Sequence, residues 1–466
     1  NLRSEVRHRA PDAVGDVVQA IASSVVTASQ LLRAYIHHFT EILFDHAIKQ
    51  AKELDEYHAK SGRLIGPLHG VPITLKDQFN VKGYDSTLSY VGRAFKPAAH
   101  GSLIVSILKR MGAIPIAKSN LPQCIMWCET ESPVWGLTVH PRRPDYTAGG
   151  STGGEGAMFS LGGTLCGWGT DIGGSIRIPS HVNGVYGLKP SSTRLPYQGV
   201  SVSTDGQEHV PSVIGPMSRD IDSLIVVTKA VLDVEQWSLD PKCSPIPWRA
   251  ESFEDVQSRP LVIAVLRDDG VVRVHPPIER VLEETLIRLR DAGHEIISCR
   301  PDIMDQYYTA DGWEDIRRDV EAEGEPYIPH VEALVNRGKA ISVYQYWQLS
   351  KQKLAAQERF LNLWNSTKSN RTGKQIDILL TPVMSHTAVP HRKCRWMGYT
   401  QGLQHCGLPR RRFTGGAYGS VQAAQCTGQV KLGLVRHRCH GWLTDRSASR
   451  LSQIERGDCS GRREIY

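Results

Sequence analysis

The chain has 466 residues, of which 40% are hydrophobic and 22% are charged, a composition typical of globular proteins and outside the disordered and fibrous ranges. Its 55 Lys and Arg against 48 Asp and Glu give a formal net charge of +7. Residues 401–466 carry this whole excess, so the first 400 residues are neutral. A protein that is basic throughout suggests a polyanionic partner, whereas here a neutral body and a basic tail need separate explanations.

We expect a cytoplasmic location for this protein. No apolar run reaches the roughly 18 residues that a membrane span requires, and the first residues lack a secretory signal. The cysteines before residue 401 have no spacing typical of a disulfide framework or a zinc site, which predicts reduced thiols and no metal. The first residue is Asn1 rather than methionine, which suggests a fragment, a processed product or an incomplete gene model.

The body of the chain alternates between helical and strand patterns. Apolar residues at helical spacing, a capping box and breaks at Gly or Pro mark the predicted elements. In chain order these are a helix opened by the capping box at 27–30, a helix with apolar residues on one face from 43 to 54, a strand at 71–76, a helix at 103–111, a strand at 113–117, a strand at 261–266, a helix at 278–289 and a strand at 294–298. Strands that alternate with helices predict an α/β fold with a largely parallel sheet.

Residues 149–189 form a glycine-rich segment. Glycine at this density weakens helices and strands, so it indicates positive φ angles or close approach to a ligand or another segment. No GxxxxGK[ST] motif is present, and the GxGxxG pattern of dinucleotide-binding proteins is not met after a strand. The sequence around Ser151 does fit GxSxG, the nucleophile-elbow pattern of α/β-hydrolase esterases, with His181 and His209 as candidate partners.

Two serines in glycine turns, Ser151 and Ser175, and one lysine, Lys76, allow a different chemistry. A serine hydroxyl needs a base to become nucleophilic, and a lysine becomes such a base when burial lowers its pKa. Ser151 can relay the proton between the other two, while backbone N–H groups before Ser175 can face a developing oxyanion. Spacing shows only that the parts are present. Taken singly, turn serines and a surface lysine are the simpler interpretation.

Four segments resemble the amidase signature family. They are GVPITLKD at 70–77, STGGEG at 151–156, GTDIGGSIRIP at 169–179 and GLKP at 187–190. They follow the order found in that family, and the closer resemblance is to its fungal acetamidase-type members, up to about Tyr399. The resemblance implies a single α/β domain over residues 1–400, with a mixed β-sheet flanked by helices and no metal or organic cofactor.

The resemblance also implies a Ser–cis-Ser–Lys triad. Ser175 is then the nucleophile, Ser151 the bridging serine with a cis peptide bond, and Lys76 the neutral base. The resemblance further implies that the backbone amides of Ile172, Gly173 and Gly174 are the oxyanion donors. Thr152, Asp171 and Arg177 then support the loop, and Met126 and Trp127 line the acyl pocket. A plain structural ion pair is the alternative for Asp171 and Arg177, and core packing is the alternative for the two pocket residues.

By resemblance, the protein is expected to hydrolyse a small aliphatic carboxylic amide to carboxylate and ammonia through an acyl-enzyme. The expected partner is a small-molecule amide, with no nucleic acid and no membrane, and a homodimer is left open. The alternatives are a catalytically dead amidase remnant from a disrupted gene, a GxSxG esterase that uses Ser151, and nucleic-acid binding through the basic tail.

The resemblance stops after Thr400, where the basic tail at 401–466 replaces the next segment of the family. Permitted codons for this region, reread one nucleotide later, allow KVCNIVDYPAVVSPV, which is similar to the missing segment. We expect the tail to be translated out of frame or through a misassigned exon boundary. A second shortening is expected near residues 36–40. The tail lacks the RGG pattern, aromatic ladder or amphipathic periodicity of nucleic-acid and membrane arms.

Overall fold

The computed structural model describes residues 13–24, 27–29, 41–299, 310–336, 338–405 and 419–421. Three expectations lie wholly or mostly outside these ranges. They concern the helix that continues from the capping box at 27–30, the shortening near 36–40 and most of the tail at 401–466.

A seven-stranded mixed sheet forms the centre of the described structure. With strands numbered in chain order, its spatial order is β1 (Glu41–Ile42), β3 (Ile114–Ser119), β2 (Pro72–Lys76), β8 (Cys166–Asp171), β10 (Val213–Ser218), β9 (Tyr186–Pro190) and β14 (Gly419–Val421). Four short strands between β3 and β8 form two hairpins, β4 (Glu131–Ser132) with β5 (Gly136–Leu137), and β6 (Val139–His140) with β7 (Arg143–Thr147).

The helices of the described ranges flank this sheet and a smaller one. They are α1 (Val14–Ala22), α2 (Phe44–Ser61), α3 (Leu103–Arg110), α4 (Gly153–Ser160), α5 (Arg177–Asn183), α6 (Ile221–Asp233), α7 (Ala250–Ser258), α8 (Pro276–Asp291), α9 (Glu314–Glu321), α10 (Pro329–Val335), α11 (Val343–Ser366) and α12 (Gly398–His405).

The strand directions confirm the mixed α/β fold and correct the expectation of a largely parallel sheet. β2 runs parallel to β3 and β8, but the other four neighbouring pairs of the large sheet are antiparallel. β8 and β9, joined through α5, point the same way, and β10 inserts between them in the opposite direction. The alternation of helices and strands along the chain therefore predicted a sheet flanked by helices, but it did not predict that β10 lies between β8 and β9.

The smaller sheet is parallel throughout and has the order β12 (Glu295–Ser298), β11 (Val262–Val265) and β13 (Ile378–Leu380). Helix α8 connects β11 to β12, and its buried leucines pack against the apolar side chains of β11. Parallel pairing of this kind follows from a helical crossover between consecutive strands.

Most of the predicted elements are confirmed, with ends that differ by one or two residues, except that α2 continues seven residues past position 54 to Ser61. The predicted apolar face of α2 is buried, because Leu43, Ala47, Ala51 and Leu54 are each at most 4% exposed. Gly112 follows α3 with a φ of +91°, the left-handed conformation that ends many helices. Periodicity predicted these elements well because each buries one face against the sheet.

Two glycines of β8 bring α4 close to the sheet. A Cβ atom at Gly167 would lie 2.0 Å from Glu155 Oε2, and one at Gly169 would lie 2.7 Å from Thr152 Cγ2. Alternate residues of a strand share a face, so Gly167 and Gly169 leave one face of β8 without side chains at two successive positions. The turn that carries Ser151 and the first turn of α4 rest on it, which explains part of the glycine density of this segment.

Candidate active site

The predicted site residues meet at one edge of the large sheet. Lys76 is the last residue of β2, and Asp171 is the last residue of the parallel neighbour β8. Ser151 lies in the turn before α4, and Ser175 lies in the turn before α5. Because neighbouring parallel strands end at the same edge, residues far apart in sequence come together there.

Lys76 is fully buried and contacts two hydroxyl groups. Its Nζ lies 2.7 Å from Ser151 Oγ and 3.0 Å from Thr170 Oγ1. Thr170 in turn donates to Gln78 Oε1 at 2.5 Å, which fixes its orientation. Burial lowers the pKa of Lys76 to about 7, against the opposing effect of the Asp171 and Glu155 carboxylates. A lysine with this pKa is neutral in a substantial fraction of molecules near neutral pH.

The peptide bond between Gly150 and Ser151 is cis, as the family resemblance implies. Gly150 is packed against the chain at 127–129, where an added Cβ atom would lie 2.7 Å from the carbonyl oxygen of Trp127 and from the amide nitrogen of Glu129. A side chain at position 150 is therefore excluded by backbone atoms, which cannot move aside as a flexible side chain can.

The two serine turns are joined by a backbone hydrogen bond. The amide of Thr152 donates to the carbonyl oxygen of Ser175 at 3.1 Å. Ser151 is fully buried, whereas Ser175 retains 9% exposure. Ser175 is thus the more accessible of the two serines.

Asp171 and Arg177 form a buried, bidentate ion pair that supports the loop between them. Arg177 Nε and Nη2 donate to the two Asp171 oxygens at 2.9 and 2.8 Å. The same carboxylate accepts backbone N–H groups of Gly174 and Ile176 at 2.8 and 3.1 Å. Burial alone would raise the pKa of Asp171, but the charge and hydrogen bonds of Arg177 hold it at about 2. The loop therefore folds around an ionised carboxylate.

This arrangement distinguishes among the predicted oxyanion donors. The Gly174 amide already donates to Asp171, so it is committed to the loop itself. The amides of Gly173 and Ser175, in contrast, have no intramolecular hydrogen-bond partner within the described ranges. The oxyanion assignment stays a prediction, and the geometry favours Gly173 and Ser175 as its donors.

Thr400, the last residue before the predicted boundary of the tail, contacts the same loop from α12. Its hydroxyl donates to the carbonyl oxygen of Gly173 at 2.6 Å, and its own carbonyl oxygen accepts from Arg177 Nη1 at 3.0 Å. Thr400 is fully buried. The C-terminal end of the amidase-like region is therefore part of the structure that shapes this loop.

A cleft of about 440 Å³, open to solvent, borders the loop. Met126 and Ile172 are among its lining residues, and Met126 also packs against a buried apolar cluster. Trp127 is not among its lining residues, and its ring stacks on His330 at a centroid distance of 5.1 Å. The pocket roles of Met126 and Trp127 stay predictions.

The geometry of Ser151 does not match the esterase alternative. Its hydroxyl pairs with Lys76, whereas His181 Nε2 lies 2.9 Å from the carbonyl oxygen of His386. Burial lowers the pKa of His181 to about 4. His209 lies in the cleft and packs edge-on against Tyr346. Neither histidine is placed as the base of Ser151.

Two further features of the described ranges concern metals and membranes. These residues contain no cluster of three or more His, Cys, Asp or Glu side chains that could hold a metal ion. None of their helices has both the length and the apolar composition to cross a bilayer.

Sequence reasoning missed three polar residues of the site. Thr170 contacts Lys76 directly, Glu155 lies buried beneath the lysine strand, and Thr400 binds the loop before Ser175. Thr170 and Glu155 were within the quoted motifs, but no pattern in a single sequence indicates which polar residue of a motif faces inward. Thr400 is separated from the loop by more than 220 positions.

Comparisons with known proteins identify the family of this chain. The sequence profile of the amidase family matches residues 20–405. The chain is 50% identical over 448 residues to Amidase 1 of Gibberella moniliformis, with 92% of this chain and 86% of that protein covered. It is 38% identical over 406 residues to the acetamidase of Emericella nidulans, with 82% and 74% covered. The solved structure of a fatty acid amide hydrolase has a TM-score of 0.78 and 30% identity, with 84% and 71% covered.

The chain therefore belongs to the amidase family. It is a hydrolase that acts on amide carbon–nitrogen bonds. The resemblance to fungal acetamidase-type enzymes is confirmed by the relatives above.

Proposed function

We propose that this protein hydrolyses a small aliphatic carboxylic amide through a triad of Ser175, Ser151 and Lys76. The observation that carries the proposal is the buried contact of 2.7 Å between Lys76 Nζ and Ser151 Oγ. A buried lysine beside a hydroxyl group is unusual unless its amine is neutral for part of the time, because burial of an ammonium ion is costly. The lowered pKa of Lys76 provides that neutral amine.

In the acylation step, the Ser175 oxygen attacks the amide carbon and its proton passes to the Ser151 oxygen. Ser151 passes its own proton to the Lys76 nitrogen, which becomes an ammonium ion. The amide oxygen becomes an oxyanion, which the backbone N–H groups of Gly173 and Ser175 stabilise. Arg177 and Asp171 position these amides by fixing the loop.

Collapse of the tetrahedral intermediate breaks the carbon–nitrogen bond. The proton held by Lys76 returns through Ser151 to the leaving nitrogen, so ammonia departs and an acyl ester remains on Ser175. Water then attacks this ester with the same relay as general base, and the carboxylate is released. The charges and protons balance without a metal or an organic cofactor.

The substrate class is supported by the relatives. One relative is named as an acetamidase. In this chain, the cleft reaches the oxyanion loop at Ile172 and is bordered there by Met126. We propose that a short acyl chain packs against these two apolar side chains.

Single substitutions in the triad test the proposal. We expect Ser175→Ala and Lys76→Ala to reduce kcat for acetamide at least 1,000-fold, and Ser151→Ala to reduce it severely, because each removes one part of a linear proton path. The measurement is ammonia release from acetamide, propionamide and hexanamide, combined with mass-spectrometric detection of covalent sulfonylation by a sulfonyl fluoride.

The control is the variant Thr228→Val, which changes a buried residue of α6 outside the site. Sulfonylation is expected on Ser175 in the unmodified protein and in this control, and absent from Ser175→Ala. Full activity in Ser175→Ala, with loss only in Ser151→Ala, would overturn the triad and favour an esterase-like nucleophile at Ser151. Folded but inactive protein in every form would favour the catalytically dead remnant.

A further inference from the structure

Glu155 is a buried carboxyl group that the proposed reaction does not use. It lies in the first turn of α4 and is 0% exposed. Acidic side chains are rarely buried to this extent without a partner of opposite charge or a specific role. Its position beneath the catalytic lysine therefore calls for an explanation.

The carboxyl group is seated on the sheet by two residues. The Thr74 hydroxyl donates to Glu155 Oε2. Gly167, which pairs with Thr74 across β2 and β8, leaves the space for that oxygen, because a Cβ atom at Gly167 would lie 2.0 Å from it. The position of the carboxyl group is thus set by a hydrogen bond on one strand and by the absence of a side chain on the next.

This seat places Glu155 on the same face of the sheet as Lys76. Thr74 and Lys76 are two positions apart on β2, and alternate residues of a strand share a face about 7 Å apart. The other carboxyl oxygen, Glu155 Oε1, is buried and makes no hydrogen bond of good geometry within the described ranges, although the Ser119 hydroxyl lies near enough to the carboxyl group to lower its pKa.

Because Lys76 gains a positive charge during acylation, a nearby carboxylate affects the reaction directly. We propose that Glu155 is a positioning residue whose carboxylate stabilises the ammonium ion that Lys76 becomes when it takes the proton of Ser151. This inference rests on the proposed Ser–Ser–Lys triad. Glu155 touches neither substrate nor Ser175, and it acts through Lys76 alone.

The electrostatics of the described residues support this role. Burial raises the pKa of Glu155 to about 7, and the hydroxyl groups of Thr74 and Ser119 and then the charge of Lys76 oppose the rise. The Glu155 carboxylate in turn opposes the effect of burial on the pKa of Lys76. Without the carboxylate, Lys76 would be a weaker base that remains neutral at lower pH.

Other charged or titratable groups near the pair come from several elements. Asp171 and Cys166 lie on β8. Arg177 on α5 and Lys189 on β9 both interact with Asp171. Lys118 on β3 pairs with Asp77. Asp171 is already neutralised by its bidentate pairing with Arg177. Among the described residues, Lys76 is therefore the cationic partner of the Glu155 carboxylate, whereas Asp171 is paired with Arg177.

The substitution Glu155→Gln separates this role from a structural one. It keeps the shape and an oxygen for Thr74 but removes the charge. In the unmodified protein the acid limb of the kcat/KM profile reports the ionisation of Lys76 and Glu155 as an interacting pair. We expect the limb of Glu155→Gln, which reports Lys76 alone, to lie about one pH unit lower. The plateau at high pH is expected to fall about ten-fold, because the base is weaker and its ammonium form is less stabilised.

Two more variants keep the test decisive if Glu155→Gln folds poorly. Thr74→Val removes the hydroxyl that favours the ionised carboxylate, so the acid limb is expected to move in the same direction by a smaller amount. Glu129→Gln is the matched control, since Glu129 is also buried but accepts the backbone amides of Arg392 and Cys394. It is expected to lower the melting temperature without moving the limb.

The outcomes distinguish this inference from the function on which it rests. If Glu155→Gln lowers the plateau and leaves the acid limb in place, or moves the limb to higher pH, the proposed role of Glu155 is overturned while the triad stands. If Lys76→Ala keeps both the activity and the acid limb, the triad itself is wrong. Melting curves of every variant, recorded at the same pH values, identify losses that are due to unfolding.

Discussion

Lys76 is the residue on which the proposed chemistry depends, because its amine must be neutral to accept a proton. Lys76 and Ser151 are 75 residues apart in the sequence, but the folded sheet places Lys76 Nζ 2.7 Å from Ser151 Oγ. The sequence shows that the lysine and the serine are present, but burial lowers the pKa of the lysine so that it can act as a base. Burial is a property of the strands and helices around it.

The pH dependence of activity follows from this burial. The pKa of Lys76 is about 7, so the amine is protonated below that value and neutral above it. We expect kcat/KM for acetamide to rise as the pH increases through about 7 and then to level off. The measurement is a profile from pH 5 to 9.5 in buffers of constant ionic strength.

A profile whose acid limb lies near pH 10 would contradict this expectation, because it would indicate an ordinary exposed lysine. Stability must be followed in parallel by far-ultraviolet circular dichroism. Only the pH range in which the fold is unchanged reports the ionisation of the base.

Thr170 gives a second prediction at the scale of single residues. Its hydroxyl accepts a hydrogen bond from Lys76 at 3.0 Å and donates to Gln78 at 2.5 Å. We expect Thr170→Val to reduce kcat about ten-fold with little change in KM, since the amine loses the group that orients it but the cleft keeps its shape.

Thr228→Val is a suitable control for that substitution. Thr228 is also buried, lies on α6, and its hydroxyl has no hydrogen-bond partner among the described residues. The control is expected to keep its kcat. An unchanged kcat in Thr170→Val would show that Ser151 alone is sufficient to orient Lys76.

At the scale of elements, the contact between α4 and the sheet decides where Ser151 lies. Gly154 of α4 donates its amide to the carbonyl oxygen of Asn120 just after β3, and a Cβ atom there would lie 2.5 Å from the amide nitrogen of Asn120. The glycine-rich motif was predicted to serve close approach, and this contact is one instance. The approach is to another backbone segment rather than to a phosphate.

Gly154→Ala is therefore expected to lower the free energy of unfolding by about 3 kcal/mol, because the added methyl group meets backbone atoms. The measurement is urea denaturation followed by circular dichroism. Gly15→Ala is the matched control, since Gly15 is also helical but its added Cβ would meet nothing within 4 Å.

The control is expected to be neutral or to stabilise the protein by up to about 1 kcal/mol, the ordinary preference of a helix for alanine over glycine. Equal destabilisation by both substitutions would show that helix propensity, rather than the contact of α4 with Asn120, determines the effect.

At the scale of the whole molecule, the tail remains the least explained part of the chain. The amidase profile ends at residue 405, but the match to Amidase 1 covers 92% of the chain and therefore includes part of the tail. Within the tail, the described strand β14 pairs with β9 through Gly419 to Val421. Translation out of frame from about residue 401 stays a prediction, as do the cytoplasmic location and a homodimer.

Replacement of residues 401–415 by KVCNIVDYPAVVSPV, followed by the rest of the alternative frame, tests that prediction. We expect the replacement to raise the melting temperature and the acetamidase activity, because it restores family-like segments after the loop contacts of Thr400. Accurate sequencing of the transcript is the independent measurement. An uninterrupted frame that encodes the present tail would contradict the hypothesis.

The alternative role for the tail, nucleic-acid binding, predicts a different result. Deletion of residues 401–466 would then abolish a salt-dependent affinity for DNA or RNA. We expect no such affinity in the full chain, since the body is neutral and the tail has no recognisable binding motif.

The sequence by itself determined the family, the order of the catalytic segments and most helices and strands. Short motifs such as GTDIGGSIRIP and apolar periodicity are local properties, and local properties can be read along one chain. The tertiary structure alone decided the antiparallel insertion of β10, the commitment of the Gly174 amide to Asp171, and the burial of Glu155 against Thr74 on the strand that carries Lys76. Each of these depends on which distant surfaces pack together, because packing sets hydrogen-bond partners and the local dielectric, and through them the chemistry of the site.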